Sequence, residues 1–455
     1  MNDNATSTAP TGDQRRPISP LTTGLTIGFA TVASMWTLGY LLRFPGLSTP
    51  PVAIGIALLT VQAIAAVLGG ALGPARASVR VGLLAGLTTG LLNLLILGSM
   101  LFEDSGSAAG DRPSPVVIIL GWIAFSLVLG VVGVWIGALI WPAPGRRDQS
   151  RGAWLGRFAV VSALTMLPLL LVGGVVTTSD SGMAVPDWPN TFGSNMFLFP
   201  LSRMTGGVYF EHTHRLFGAL VGLTSLTLMV LTLRSERDSG AKRLAVVIFV
   251  CIVAQGILGG TRVTETSRAL ALAHGVFAQG IFALLVVLGA MLSARWNDGS
   301  EPMPGHGFRR LRRIAIAALV MVLIQIALGG MIRHFSGEKL AMHAVLTHAG
   351  FSLVVFGHVA AVGGRLTTIK GAPKPLHRLG VILLGLVSLQ MLLGVVALGV
   401  AMMHQNRAEA PTIRLVIGAT HQTVGALVLG GVALALAWIR HSLVEDGSTK
   451  QTASE

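Results

Sequence analysis

The sequence predicts an all-α polytopic membrane protein with about twelve transmembrane helices. Of its 455 residues, 52% are hydrophobic and 11% are charged, whereas soluble domains are about 25% charged. The apolar runs are about 20 residues long, which is the length of a membrane-crossing α-helix and about twice that of a barrel strand. This composition excludes an ordinary soluble domain and favours helices over a β-barrel.

Twelve apolar runs can be placed in order along the chain. They cover roughly residues 21–42, 52–73, 80–102, 115–141, 155–177, 208–233, 243–261, 268–293, 311–332, 343–363, 378–400 and 413–440. The residues before the first run are polar, and no Ala-x-Ala cleavage site follows it. We therefore expect this run to be a retained helix rather than a cleaved signal.

Basic residues alternate between loops and thereby orient the helices. Arginines collect after even-numbered runs, as at Arg146 and Arg147 and again at Arg309 and Arg310, while several opposite loops carry acids. The positive-inside rule then predicts both termini in the cytoplasm. This pattern accounts for the net charge of +14 without a nucleic-acid partner. The single cysteine, Cys251, excludes an intramolecular disulfide.

One turn at the start of the sixth run combines a carboxylate with a histidine. Glu211 and His214 are three residues apart, so they share a helix face. Ionisable groups at the edge of a lipid-buried helix are costly and usually functional. A histidine beside a carboxylate suits a metal or heme ligand next to a proton-handling group. For this turn alone, a polar helix end at the membrane surface is an equal alternative.

The pattern returns, because runs five to twelve contain an internal repeat. Gln-x-x-Leu-Gly segments begin at Gln255, Gln325 and Gln390, and Gly173-Gly174 holds the matching place in the fifth run. A histidine near the start of the following helix comes after each segment, at His214, His274, His348 and His421. The unit is a helix pair used four times. Its glycines permit close approach of a neighbouring helix or of a flat cofactor.

Two four-helix units with two histidines each predict two sites of the bis-imidazole kind that hold heme in a bundle core. The expected pairs are His214 with His274 and His348 with His421, near the outer membrane face. His343 is a rival to His348 because it also opens the tenth run. Zinc is the weaker alternative, since structural zinc requires four ligands, usually including cysteines. His306, His377 and His441 lie in basic segments and are expected at the surface.

The chain divides into three predicted regions. Residues 1–150 form a four-helix membrane module without histidines. Its last part, residues 141–147, is a connector rich in Pro, Gly and Arg that separates the module from the rest of the chain. Residues 151–300 form the first four-helix bundle and residues 301–455 the second. The two bundles are expected to be pseudo-symmetric because they carry the same repeat.

Three segments carry a family resemblance. Glu211, His214 and Arg215 form a Glu-x-x-His-Arg motif, and His421 and Gln422 begin a later ligand helix. Residues 181–191 read Ser-Gly-Met-Ala-Val-Pro-Asp-Trp-Pro-Asn-Thr. Over about residues 155–440 the chain resembles the heme A synthase family, whose members have eight helices in two similar halves. The first four helices lie outside that pattern.

The resemblance implies oxidation of the C8 methyl group of heme O to a formyl group, giving heme A for terminal oxidases. It implies that His214 and His274 are axial to the substrate heme O, that His348 and His421 are axial to a cofactor heme b, and that Glu211 lies beside the reacting edge. Five residues are candidates for propionate or loop contacts: Arg215, Arg262, Arg333, Asp187 and Trp188.

The resemblance also implies a setting and partners. We expect an integral protein of the bacterial inner membrane, in contact with lipid, that takes heme O and passes electrons to an unknown acceptor. The extra N-terminal helices lie outside the resemblance and lack candidate ligands, and on that ground alone they are expected to dock a partner such as the heme O-producing enzyme or an oxidase-assembly factor.

Departures from the family pattern leave alternatives open. Val185 and Thr191 stand where many relatives have a cysteine pair, Thr177 stands where an arginine is frequent, and Ala349 follows His348. A diheme b-type cytochrome in quinone-linked electron transfer would share all four histidines but not require Glu211. A twelve-helix transporter is less favoured, since it would place functional polar residues near the bilayer midplane.

Overall fold

The structure is a computed structural model that describes residues 19–72, 79–101, 114–140, 151–236, 238–297, 300–335, 339–403 and 411–446. Within these ranges, twelve helices are long and apolar enough to cross a membrane. The predicted all-α polytopic class is therefore confirmed. The connector at residues 141–147 lies outside the described residues.

The helices follow the predicted order along the chain. They are α1 (Pro20–Leu42), α2 (Pro51–Leu72), α3 (Val79–Leu101), α4 (Pro115–Ile140), α5 (Arg151–Thr178), α6 (Gly206–Ser235), α7 (Ser239–Thr264), α8 (Arg268–Met291), α9 (Phe308–His334), α10 (Lys339–Thr368), α11 (Lys374–Met403) and α12 (Thr412–Ser442). A short 3-10 helix, Leu201–Arg203, precedes α6.

Several helices extend beyond the apolar runs that predicted them. The helix α7 begins at Ser239, where the Asp238 carboxylate accepts hydrogen bonds from the N–H groups of Gly240 and Ala241. Such a cap satisfies backbone donors in a polar first turn. Hydropathy alone does not detect these turns, because they lie at the membrane surface.

The helices α5 to α8 pack in a ring, and α9 to α12 pack in a second ring. The rings meet where α12 packs against α5 and α8, and where α8 packs against α9. One apolar core lies in the first ring and includes Leu415 and Ala419 of α12. A second core lies in the other ring and includes Ala283 of α8. The two rings thus share residues across their interface.

The helix α1 joins the N-terminal helices to the first ring. Its Tyr40 stacks on Tyr209 of α6 with ring centroids 5.5 Å apart, and the Tyr209 hydroxyl donates to the Tyr40 carbonyl at 2.6 Å. Trp36 packs edge-on against Phe217 of α6 and donates to the Asn93 side chain of α3 at 2.9 Å. The residues that flank Glu211 and His214 on α6 are therefore in contact with α1.

Two short strands connect the loop before α9 to the end of α12, a feature that the sequence did not predict. The strands β1 (Met303–Gly305) and β2 (Leu443–Glu445) pair in parallel. The Glu445 carboxylate accepts hydrogen bonds from the N–H groups of Gly307 and Arg309 at 3.0 and 2.7 Å. A carboxylate at this position satisfies free donors at the start of α9.

Glu445→Gln is expected to lower the thermal unfolding temperature at pH 7, and the effect is expected to shrink as the pH falls below 4. The N–H groups of Arg309 and Gly307 hold the pKa of the Glu445 carboxyl below its usual range. A pKa that is lower in the folded state stabilises the fold above the unfolded pKa, about 4.3 for glutamate. This contribution is lost as the pH falls through the folded value.

Asp446→Asn is the matched control for this test. It removes the same charge from the next residue, whose carboxylate accepts no hydrogen bond among the described residues. Equal losses from both substitutions at pH 7 would contradict a specific cap.

Candidate functional site

The structure brings the four repeat histidines together as two pairs. His214 of α6 faces His274 of α8, with ring centroids 6.3 Å apart and ring planes at 72°. His348 of α10 faces His421 of α12 at 6.3 Å and 73°. Each ring lies roughly two turns inside its helix, within the first turns that the sequence predicted. The two pairs have nearly identical geometry.

A glycine of the preceding helix backs each histidine ring. A β-carbon at Gly173 would lie 3.0 Å from His214 Cε1, and one at Gly259 would lie 2.8 Å from His274 Cε1. The equivalent distances are 3.2 Å from Gly329 to His348 and 3.1 Å from Gly394 to His421. The contact at Gly259 is closer than β-carbons approach in proteins, and at the other three positions a methyl group would fit only if the ring moved by a few tenths of an ångström. The first glycine of the repeat therefore affects the ring position as well as helix packing.

The repeat glutamines hold two of the ligand helices in register. Gln255 donates to the backbone carbonyl of His274, and Gln325 donates to that of His348, both at 2.8 Å. His348 Nδ1 lies 3.1 Å from the Gln325 carbonyl oxygen, which leaves its Nε2 for another partner. Gln390 differs, because its side-chain nitrogen lies 3.4 Å from His421 Nε2. The Nδ1 atoms of the other three histidines are buried without a hydrogen-bond partner among the described residues.

Each pair fits a single six-coordinate metal between two imidazoles. A transition metal binds imidazole nitrogen at about 2.0 Å, so two opposed nitrogens are about 4 Å apart and the ring centroids roughly 6 Å apart. Both measured separations are 6.3 Å. No group of three or more His, Cys, Asp or Glu residues that could hold a metal ion occurs within the described ranges. The donor set thus fits axial ligation of heme better than tetrahedral zinc.

Gly259→Ala is expected to weaken heme binding at the first pair on the order of tenfold to a hundredfold. The added methyl overlaps the His274 ring, and overpacking of this kind costs about 1–3 kcal/mol. Heme titration of the purified protein, followed by its visible spectrum, measures the effect. Gly256→Ala is the control, because a β-carbon at Gly256, one turn earlier on α7, meets nothing within 4 Å. Equal weakening by both substitutions would contradict the role of Gly259.

Glu211 is buried, with 1% of its surface exposed, and both of its oxygens are bonded. Oε1 pairs with Arg215 at 2.8 Å, and Oε2 accepts the Val185 N–H at 2.9 Å. Arg215 also donates to the carbonyls of Val185, Asp187 and Asn190. The Glu211 carboxylate, which the sequence analysis singled out, therefore links α6 to the outer loop. The two terminal nitrogens of Arg215 thus make three hydrogen bonds to the loop and one to Glu211.

Asp187 and Trp188 lie in the same loop and stabilise its conformation. The Asp187 carboxylate accepts the N–H groups of Phe192 and Gly193 at 2.8 and 2.7 Å. Desolvation opposes its ionisation, but hydrogen bonds from Gly193 and Phe192 lower the pKa of Asp187. A β-carbon at Gly260 would overlap the Trp188 ring, so the loop rests directly on α7. Both residues therefore make contacts that hold the loop.

The positions that replace the family's cysteine pair are both buried. Val185 and Thr191 each have 0% of their surface exposed. The Thr191 hydroxyl lies 3.1 Å from His212 Nδ1, and the His212 ring packs against Phe199 at 5.2 Å. These contacts hold the two ends of the loop segment without a disulfide. His212 thus lies on a different face of α6 from His214.

Arg262 and Arg333 are half-buried cations beside the two histidine pairs. Neither makes a hydrogen bond or an ion pair with another described residue. Arg262 lies one turn after Gly259, which backs the His274 ring, and Arg333 lies one turn after Gly329, which backs the His348 ring. Each pair therefore has one cation available to an anionic group of a bound molecule.

In two of the four repeats, the second glycine joins the two helix bundles directly behind the histidines. A β-carbon at Gly174 of α5 would lie 2.9 Å from Ala419 Cα of α12. One at Gly330 of α9 would overlap Leu272 of α8. The residues that contact the other bundle are therefore the sequence neighbours of Gly173 and Gly329, which contact the rings of His214 and His348. Small residues there bring the two sites close together.

Other histidines fall outside the pairs. His343 is exposed and has no partner ring among the described residues, whereas His348 is the residue that faces His421. His306 and His377 are exposed, as predicted. The surface prediction was wrong for His441, which is half-buried and stacks on Trp296 at 4.0 Å.

Sequence reasoning missed two contacts at the site. It named Arg215 as a candidate for a propionate or loop contact, but it did not predict the ion pair of Arg215 with Glu211, although these residues have the i, i+4 spacing of such a pair. It also did not link His212 to Thr191. No local signal marks that contact, because it depends on the path of the intervening loop.

Comparison with known proteins covers the first bundle best. Residues 156–345 match the family model COX15-CtaA, described as cytochrome oxidase assembly protein. The heme A synthase of Exiguobacterium sibiricum is 28% identical over 184 residues, which are 40% of this chain and 59% of that relative. The heme A synthase of Lysinibacillus sphaericus is 29% identical over 189 residues, which are 40% and 58%. That of Chelativorans sp. is 30% identical over 156 residues, which are 31% and 39%.

The chain thus spans somewhat more than half the length of the first two relatives. The matched region begins in α5, ends in α10, and contains Glu211, His214 and His274. Residues 156–345, somewhat less than half of this chain, are therefore similar to the COX15-CtaA family of cytochrome oxidase assembly proteins.

Proposed function

We propose that this chain is a heme A synthase, which oxidises the C8 methyl group of heme O to a formyl group for terminal oxidases. One observation carries the proposal: the two histidine pairs share one geometry, but only His214 follows a carboxylate, Glu211, by one turn on its own helix. Because the two histidine pairs have the same geometry, each can hold a heme. Because their surroundings differ, the two hemes are expected to have different roles. The names of the similar relatives support the same reaction.

In this proposal, His214 and His274 hold heme O and fix the position of its reacting edge. Conversion of a methyl group to a formyl group with oxygen from water releases four protons and four electrons. The Glu211 carboxylate accepts protons or orients the attacking water. The loop above it, held by Arg215, limits the access of bulk water to the site.

His348 and His421 hold a heme b in the second bundle. When bound, heme b supplies one-electron redox chemistry and an exit for electrons toward an acceptor whose identity is open. The close approach of α5 and α12 at Gly174 and Ala419 keeps the two sites near each other. Arg262 and Arg333 are the candidate partners of the heme propionates, one at each site.

The decisive experiment is expression of the chain together with a source of heme O, followed by extraction of the hemes and mass measurement. A product with the mass of heme A is expected, together with a low-spin bis-histidine spectrum from the purified protein. Bound heme without any heme A would favour the diheme cytochrome. Absence of heme would contradict both redox functions and leave the transporter.

The regional organisation and location follow from the same proposal. Residues 151–300 form the substrate half, 301–455 the cofactor half, and 1–150 a module of separate role. The protein is placed in the bacterial inner membrane with cytoplasmic termini and with both heme sites near the outer face. Because α1 packs on α6, we infer that the N-terminal module stabilises the substrate half. The module is also the candidate docking site for the heme O-producing enzyme or an assembly factor.

A further inference from the structure

A cavity of about 400 Å³ lies at the opposite end of the second bundle from the histidines. The positive-inside pattern assigns this end to the cytoplasm. The connection between α8 and α9, the connection between α10 and α11, and the end of α12 form its walls. Its lining includes Arg295, Glu301, Lys374, Arg378, Trp438 and Ser442.

The rim of the cavity carries an excess of positive charge. Arg295, Lys374 and Arg378 are exposed cations, and Glu301 is the carboxylate among the lining residues. None of the three cations makes a hydrogen bond or an ion pair with another described residue. Cations that converge on a concave surface without counter-charges attract anions, and phosphate groups above all.

The floor of the cavity is held by aromatic contacts. His441 stacks on Trp296 with ring centroids 4.0 Å apart and planes at 13°, and His441 Nε2 lies 3.0 Å from the Trp296 carbonyl. Trp296 also packs edge-on against Trp438 at 4.9 Å. These contacts join the chain after α8 to the last turns of α12. The cavity is therefore formed before any ligand binds.

We propose that this cavity binds the phosphate-bearing headgroup of an anionic membrane phospholipid. Lys374 begins the membrane-spanning helix α11, and Trp438 lies in the last turns of α12, so the cavity opens at the depth of lipid headgroups. Basic pockets between transmembrane helices on the cytoplasmic side suit anionic headgroups. The proposal does not depend on the reaction at the histidine pairs.

Native mass spectrometry of the delipidated full-length protein tests this site. The protein is titrated with phosphatidylglycerol or with phosphatidylcholine, and one tightly held phosphatidylglycerol is expected. The triple variant R295Q/K374Q/R378Q is expected to bind it on the order of a hundredfold more weakly, because each basic residue near the surface contributes about fivefold. Arg378→Gln alone, the least disturbing change, is expected to weaken binding about fivefold.

The control variant R309Q/R310Q/R313Q removes three exposed cations from the first turns of α9, at the same end of the molecule. It is expected to keep the bound lipid. Equal weakening in this control would overturn the site in favour of diffuse surface attraction, as would equal binding of both lipids. Displacement of the lipid by millimolar inorganic phosphate would overturn the lipid assignment in favour of a soluble anion.

Discussion

Glu211→Gln is expected to lower heme A formation by about 10²- to 10⁴-fold, the range that a positioned proton-transfer group contributes. Glutamine preserves the volume of the side chain but cannot accept a proton. Both histidine pairs remain, so the purified variant is expected to keep its bis-histidine spectrum. Mass measurement of the extracted hemes, with heme O in place of heme A, checks the result.

The same substitution also breaks the ion pair with Arg215, so the two roles of Glu211 must be separated. Arg215→Gln loosens the loop but keeps the carboxylate. If the two variants lose heme A formation equally, Glu211 acts only by holding the loop. A much larger loss in Glu211→Gln, with heme binding intact in both variants, supports proton handling.

Arg215→Gln is expected to destabilise the outer loop and the start of α6 by about 3–5 kcal/mol, because it leaves a buried carboxylate without its cation. The side chains of Arg215 and Glu211 are 9% and 2% exposed, so water cannot replace the lost partner. The carbonyls of Val185, Asp187 and Asn190 lose a donor as well. Thermal unfolding and limited proteolysis within residues 181–205 measure the effect.

Arg234→Gln is the control, since it removes the same charge from the exposed last turn of α6. Its effect is expected within about 0.5 kcal/mol. In the double variant E211Q/R215Q, the loss should be smaller than the sum of the two single losses, because the residues share one interaction. Additive losses would show that the two side chains stabilise the loop independently.

The sequence by itself determined the membrane architecture and the pairing of the histidines. A span must satisfy its backbone inside the helix and cover the hydrocarbon with apolar side chains, so hydropathy revealed all twelve helices. The repeat placed His214, His274, His348 and His421 at equivalent positions. In pseudo-symmetric bundles, equivalent positions face the same interior, and the structure gives both pairs the same separation.

Only the tertiary structure decided what surrounds these histidines. Two adjacent repeat glycines have different tasks: Gly173 backs a histidine ring, while Gly174 contacts the other bundle. Arg215 binds the loop, and α1 contributes to the core beside α6. These outcomes depend on the direction of side chains and on the path of loops between distant segments. Periodicity reports the face of a helix, but not which neighbour that face meets.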